Sequence, residues 1–197
     1  MNYTKKWQTA VHETGHFVWA CILPLSAPTL LTIEEDAASL GRCERMTLPV
    51  EELLAAELRG ASLESVFKPG IAPAEIDHVL KEYRKGRRLL LHCLAQYWLA
   101  GIAAEIALLG VEKGVGNLAG ADKEHVFKYG AMIAPPNQVG PWLCHELEAV
   151  TAGFRRGADA AEHIAKILVL QRTIGAAQCL ELARGLGYVP PGERIRT

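Results

Sequence analysis

Apolar residues near the start of the sequence recur at the spacing of an α-helix. Between residues 4 and 23, Val11, Val18 and Ile22 lie on or near one stripe of the helix surface, and Pro24 ends the run. The pattern therefore predicts one helix across these positions, with an apolar face that packs against the rest of the protein.

Two short stretches that follow have the composition of strands. Residues 29–34 (TLLTIE) are rich in β-branched side chains, and residues 41–48 (GRCERMTL) form a second run that ends at Pro49. A turn near residues 36–39 separates the two runs. We therefore expect a β-hairpin or a small sheet near the N-terminus.

The rest of the sequence has helical periodicity that proline and glycine interrupt. These interruptions predict separate helices at residues 51–59, 73–85, 87–109, 122–133, 141–156 and 158–186. Gly110 is expected to end the third of these helices, at 87–109, because glycine favours the backbone conformation that follows a helix. Since no linker is long enough to divide the chain, the pattern predicts one mainly α domain (α+β class) over residues 1–197.

Composition narrows the possible classes of protein. Of the 197 residues 50% are hydrophobic and the formal net charge is −1, which excludes a disordered chain and argues against a dedicated nucleic-acid-binding protein. The five cysteines are scattered and odd in number, which excludes a disulfide framework and a cysteine-type structural zinc site. The first residues lack the apolar core of a secretory signal, so we expect a cytoplasmic protein.

Residues 89–111 are long and apolar enough to raise the question of a membrane span. The segment carries His92, Gln96 and Glu105, and a carboxylate near the middle of a bilayer costs about 3 kcal/mol. Because a helix that is apolar on all sides is also typical of a protein core, we expect a buried helix and no membrane span.

The basic run at 81–88 has acidic residues interleaved with it, which favours a solvated helix face over a patch for nucleic acid.

The motif that carries chemistry is His12-Glu13-Thr14-Gly15-His16, inside the first predicted helix. Residues four apart lie on the same helix face, so two imidazoles can direct nitrogens at one zinc ion about 2.0–2.1 Å away. Glu13 then lies beside the ion, where it can take a proton from zinc-bound water. The neighbouring residues are apolar, which indicates a buried helix on which these polar groups are costly unless something satisfies them.

A catalytic zinc site has three protein ligands and one position for water, so a third ligand is expected downstream. The motif does not continue as HExxHxxGxxH, because Ile22 stands where a third histidine would be. Asp122 opens a predicted helix after a glycine-rich loop, where a carboxylate is also a common N-cap. Glu105, an acid within the most apolar helix, is the other candidate.

Four blocks of sequence occur in order between residues 11 and 127. They are VHETGHFVWACILP at 11–24, LTIEEDAASLGRCERMTLP at 31–49, LAGIAAEIALLG at 99–110 and GNLAGADKEHVF at 116–127. Together they resemble the zinc peptidase domain of the membrane-bound ATP-dependent proteases called FtsH. That family has an HEAGH helix, a short strand element, a GGRxAEE helix and a GAxND helix start in the same order.

The resemblance implies that Asp122 is the third zinc ligand, beside His12 and His16. It also implies that Glu105 lies near the site as a structural residue that orients the ligands. His125, one helical turn after Asp122, is the alternative ligand.

The sequence departs from the family in two places. Ala100-Gly101 stands where the family has a double glycine, and Ile102 stands at its arginine position. The interval between Pro49 and Ala100 is longer than the family pattern leads us to expect. We therefore predict a helical insertion at about residues 50–85 of an FtsH-peptidase-like domain.

The function that follows is that of a zinc-dependent metallopeptidase with one Zn²⁺ per chain. Glu13 would assist the attack of zinc-bound water on the peptide bonds of peptides or unfolded proteins. The sequence has no GxxxxGK[ST] phosphate loop, so we expect hydrolysis to be independent of ATP in this chain. The alternative is a catalytically silent, peptidase-like binding or regulatory module that keeps the metal site. A homo-oligomer and a separate ATPase partner both stay open.

A strand beside the metal helix is a further candidate for function. In zinc peptidases generally, such an edge strand binds the substrate by adding it to the sheet. The second predicted strand has this position in the sequence. Its expected substrate-binding residues are Arg42, Cys43, Glu44, Arg45, Met46 and Thr47.

Overall fold

Seven α-helices and three short strands form the part of the chain that the structure, a computed structural model, describes: residues 4–23, 25–35 and 41–189. The helices are α1 (Lys5–Ile22), α2 (Pro49–Leu58), α3 (Pro73–Leu109), α4 (Gly120–Ile133), α5 (Val139–Arg156), α6 (Ala158–Gln171) and α7 (Ala176–Gly185). The strands are β1 (Pro28–Thr32), β2 (Arg42–Arg45) and β3 (Thr173–Gly175). The predicted mainly α fold with a small sheet is confirmed.

Helix α1 begins at a side-chain cap and runs through the protein. Thr4 has extended backbone angles, and its hydroxyl oxygen accepts a hydrogen bond from the Trp7 N–H at 3.3 Å. From Ala10 to Cys21 all residues but His12 are buried. A helix buried over this length holds its polar side chains inside the protein, which fixes where the HExxH motif lies.

Helix α3 is one continuous helix of 37 residues, so the predicted separation into helices at 73–85 and 87–109 is wrong. Gly86 stays helical, because the cost of about 1 kcal/mol for a glycine inside a helix is too small to break a helix that is packed on both sides of it. The helix ends at Gly110, whose φ of 64° is the left-handed conformation expected there. Buried side chains of α3 contribute to both apolar clusters that the described residues form.

Within the described residues, α3 is the one helix long and apolar enough to cross a bilayer. Of its most apolar window of 18 residues, 67% is buried inside the protein. This burial agrees with the interpretation of residues 89–111 as a core helix. A cytoplasmic location stays a prediction.

The three strands form an antiparallel sheet in the order β2-β1-β3. The third strand was not expected, since residues 158–186 were predicted as one helix. That helix ends at Gln171, and Arg172, with φ of 65°, turns the chain so that Ile174 pairs with Leu31. Ile174 is fully buried, so its place in the core accounts for the strand.

Strand β2 is shorter than the predicted run over 41–48. It ends at Arg45, which pairs with Pro28, and proline has no N–H with which to continue the ladder. The Met46 carbonyl instead accepts a hydrogen bond from the Ser26 hydroxyl. Met46 and Thr47 therefore lie outside the strand to which they were assigned. The predicted turn at residues 36–39 and Pro24 lie outside the described residues.

Residues 50–85 form α2, a short 3₁₀ helix at Leu63–Val66 and the first third of α3. Apolar residues from these elements, such as Leu53, Leu54 and Leu80, build the second apolar cluster with the middle of α3. That this part of the chain is an insertion stays a prediction.

Helices α1 and α3 cross so closely that their backbones are in contact. A Cβ atom added to Gly15 would lie 2.8 Å from the carbonyl carbon of Ala100 and 2.9 Å from the Cβ of Ala104. Only glycine leaves room for this crossing, and the crossing brings the HExxH motif against α3.

We expect the substitution Gly15→Ala to lower the free energy of unfolding by about 1–3 kcal/mol, because the added methyl group overpacks two backbones that cannot easily separate. Urea denaturation followed by circular dichroism measures the change. Gly86→Ala is the control, since no atom of the described residues lies within 4 Å of its Cβ position and alanine is the better helix former. A Gly15→Ala protein as stable as the wild type would contradict this packing.

Candidate metal centre

Two histidines of α1 and one aspartate of α4 bring their side-chain atoms together in the wall of a cleft. The Nε2 atoms of His12 and His16 are 3.3 Å apart, as the four-residue spacing on a helix predicts. Oδ2 of Asp122, in the first turn of α4, is 3.0 Å from Nε2 of His12 and 3.5 Å from Nε2 of His16. The three residues form a group that could hold a metal ion.

The spacing of these three atoms fits a metal ion that has three protein ligands and one coordination position left for water. Donors placed about 2.0–2.2 Å from a tetrahedral ion lie roughly 3.3–3.5 Å from one another. The separations of 3.0, 3.3 and 3.5 Å in this triangle are close to those values. Two imidazole nitrogens and one carboxylate oxygen are also donors that zinc accepts. The residues therefore fit the predicted ligand set of His12, His16 and Asp122.

Hydrogen bonds on the far side of each imidazole fix its orientation. His12 donates from Nδ1 to Oε1 of Glu105 at 2.8 Å, and His16 donates from Nδ1 to the carbonyl oxygen of Tyr97 at 2.8 Å. Both acceptors belong to α3. With Nδ1 of each ring bound on the far side, Nε2 faces the centre of the triangle, where it can bind a metal ion once it gives up its proton. This arrangement places Glu105 behind a ligand, the position that the resemblance implies for it.

Lys113 lies behind Glu105 and adds a positive charge that no sequence motif predicts. Its ammonium group pairs with Oε2 of Glu105, the oxygen that His12 leaves unused. Burial alone would raise the pKa of Glu105, but the hydrogen bonds from His12 and Lys113 hold it below its usual value. Glu105 is therefore a charged acceptor, and it stays fixed between two donors.

The same contacts shift the pKa values of two of the candidate ligands. Burial alone would lower the pKa of His12, but its hydrogen bonds with Asp122 and Glu105 raise the value to about 10. The pKa of Asp122 is lowered, because the positive charge of His16 and the hydrogen bond from His12 outweigh the effect of burial. The pocket thus attracts positive charge, whether a proton or a metal ion supplies it.

Glu13 lies in the wall of an open cleft that contains the three candidate ligands. The cleft has a volume of about 610 Å³, and its lining also includes Gly41, Cys43 and Trp98. Only 8% of Glu13 is exposed, and burial raises the pKa of its carboxyl group. A carboxyl group whose pKa is raised by burial is a stronger base than an exposed one.

Gly101 provides the space that the His12 ring occupies. A Cβ atom on Gly101 would lie 2.5 Å from both Cε1 and Nε2 of His12, so any side chain there would displace the ring. In the sequence this glycine stands in the FtsH-like block at 99–110, where no local pattern indicates its role. Its neighbour Ala100 is the residue that Gly15 contacts, and a single methyl group is tolerated there.

His125, the alternative ligand, is not part of the candidate metal group. Its ring stacks on Trp98 with centroids 4.3 Å apart and planes 15° apart, and it also lies over Tyr129. Its Nδ1 is buried and has no hydrogen-bond partner among the described residues, and burial lowers the pKa of the ring. One helical turn from Asp122 is enough to move the side chain from the metal centre to an aromatic cluster.

The predicted substrate strand is divided between the cleft and the protein interior. Arg42 and Cys43 line the cleft, and Arg42 pairs with Glu44 at 2.8 Å. Cys43 is half-buried, and burial raises the pKa of its thiol well above the usual value. Arg45 points instead toward Glu51 of α2, 2.7 Å away. Met46, beyond the strand end, is exposed.

No family model and no curated protein matches the chain. The FtsH-like character of the sequence therefore stays a prediction.

We expect Gly101→Ala to weaken zinc binding about 10- to 100-fold, the usual effect of disturbing a group that holds a metal ligand in place. The substitution removes no ligand; it only displaces the His12 ring. Competition with a chromophoric chelator measures the affinity, and Gly86→Ala in the same helix is the control. Equal affinities in the two variants would contradict the contact between Gly101 and His12.

Proposed function

We propose that this protein is a zinc-dependent metallopeptidase. The observation that carries the proposal is the geometry around His12, His16 and Asp122: three converging donor atoms, with the buried carboxyl group of Glu13 in the wall of the same open cleft. This set is the one that water-mediated hydrolysis at a zinc ion requires.

Zinc is the metal that best fits the donors. Two imidazole nitrogens and one carboxylate oxygen are a common three-residue set for catalytic zinc, and hard cations such as magnesium favour oxygen donors. A zinc ion bound here would make a coordinated water more acidic and polarise a carbonyl group.

Glu13 would act as the general base. It follows His12 directly, so the helix turns its side chain away from the two ligand rings while keeping it in the cleft. Burial raises its pKa, which strengthens the carboxylate as a base. The carboxylate would take a proton from water, and the resulting acid would give that proton to the departing amine.

The edge of the sheet suggests how a peptide would bind. In the described part of the chain, β2 pairs with β1 alone, so its other side can accept a further strand. Gly41, Arg42 and Cys43 bring this edge into the cleft that holds the candidate ligands. A peptide or unfolded segment added alongside β2 would lie next to the metal centre in an extended form. The resemblance to FtsH peptidase domains supports the same substrate class.

We expect Glu13→Gln to retain zinc but to hydrolyse casein or a peptide library at least about 100-fold more slowly, because an amide cannot accept the proton. Glu148→Gln, an identical change at an exposed position of α5, is the control. Zinc content and hydrolysis are measured on the same preparations.

A Glu13→Gln protein that hydrolyses as fast as the wild type would contradict the mechanism. A wild type that retains zinc but cleaves no substrate would contradict the peptidase proposal, and would leave the alternative of a binding module with a metal site.

A further inference from the structure

Arg45, at the end of β2, forms a two-point ion pair with the first turn of α2. Its Nη1 and Nη2 atoms donate to Oε1 and Oε2 of Glu51 at 2.7 and 2.8 Å. The two side chains are only 10% and 11% exposed. A paired fork of this kind, shielded from solvent, fixes both direction and distance between the two elements.

The same arginine lies over the ring of Tyr97, with its guanidinium carbon 5.0 Å from the ring centroid. Tyr97 has two further contacts that bear on the site. Its hydroxyl donates to the carbonyl oxygen of Cys43 in β2 at 3.2 Å, and its own carbonyl oxygen accepts from Nδ1 of the candidate ligand His16 at 2.8 Å. One residue of α3 therefore contacts both the edge strand and the metal helix.

These contacts form a continuous chain from α2 to the metal centre. Glu51 forms an ion pair with Arg45, and Arg45 packs over the ring of Tyr97. Tyr97 in turn is hydrogen-bonded to Cys43 and His16. Strand β2 is only four residues long and lies at the sheet edge in the described part of the chain, so the ladder with β1 alone restrains it weakly. The residues of α2 fall in the predicted insertion, for which the sequence suggested no role.

We propose that Glu51 and Arg45 are positioning residues that hold β2 in the place where it binds substrate beside the metal centre. This inference rests on the proposed function for its consequence, the binding of a peptide. The contacts themselves assign α2 the role of a clamp on the substrate strand. The set Glu51, Arg45 and Tyr97 is called the β2 clamp below.

The chain offers a matched pair of variants to test the β2 clamp. Glu51→Gln removes the charge that Arg45 binds, and Glu52→Gln makes the same change at the next residue, which is exposed. Two measurements are made on both variants and the wild type: hydrogen exchange of the β2 amides, and KM and kcat for a cleaved peptide. Zinc content shows whether the metal centre is intact.

For Glu51→Gln we expect faster exchange of the β2 amides and a KM raised about tenfold, with kcat and zinc content close to the wild type, because the strand that binds the peptide is loosened while the reacting groups stay in place. Glu52→Gln should match the wild type in every measurement. Arg45→Lys, which keeps the charge but loses the fork, should lie between the two.

Exchange of the β2 amides at the wild-type rate in Glu51→Gln would overturn the clamp, and so would an unchanged KM in an active enzyme. If neither the wild type nor Glu52→Gln cleaves any peptide, the proposed peptidase function fails. The exchange rates would still decide in that case whether Glu51 holds β2, so the two failures are distinguishable.

Discussion

At the crossing of α1 and α3, the absence of a side chain on Gly15 lets the backbone of one helix rest on the backbone of the other at Ala100. One residue further along α3, Gly101 leaves the space that the ring of His12 fills. The helix that carries the HExxH motif can therefore approach α3 closely enough for Glu105 and the Tyr97 carbonyl to hold the two imidazoles. A bulkier crossing would separate the ligands from the groups that orient them.

Charge is balanced over the same small region. Glu13, Glu105 and Asp122 put three carboxyl groups near two histidines, and such groups are stable in a protein interior only when paired. Lys113 pairs with Glu105, and both histidines contact Asp122. The pKa of Glu13 is raised, because burial disfavours its charge. A divalent cation would add the positive charge that this arrangement favours.

Local spacing was sufficient to predict the part of the site that lies on one helix. His12, Glu13 and His16 follow from helical geometry, because residues four apart must share a face whatever the rest of the fold. Asp122 required more, since an aspartate at a helix start is more often a cap than a ligand, and the order of the FtsH-like blocks indicated it. The mainly α fold with a small sheet likewise followed from periodicity alone.

Features that depend on contacts between distant segments could not be predicted in this way. Ile174 joins the sheet because it fills a place in the core, although its neighbours have the composition of a helix. Lys113 reaches Glu105 through a loop whose path the sequence does not encode in any periodic pattern. Gly86 has the appearance of a helix break, and only the packing on either side keeps α3 continuous. His125 is a plausible ligand by spacing, but stacking on Trp98 directs it elsewhere.

The central claim is that His12, His16 and Asp122 bind one zinc ion, and the most direct test is the metal content of the untagged protein purified without chelator. Mass spectrometry should find about one zinc per chain in the wild type and in Asp77→Ala, an exposed control, and far less in Asp122→Ala. Zinc retained in full by Asp122→Ala would contradict the assigned ligand. A wild type that binds no metal, even after zinc is added, would contradict the metal centre itself.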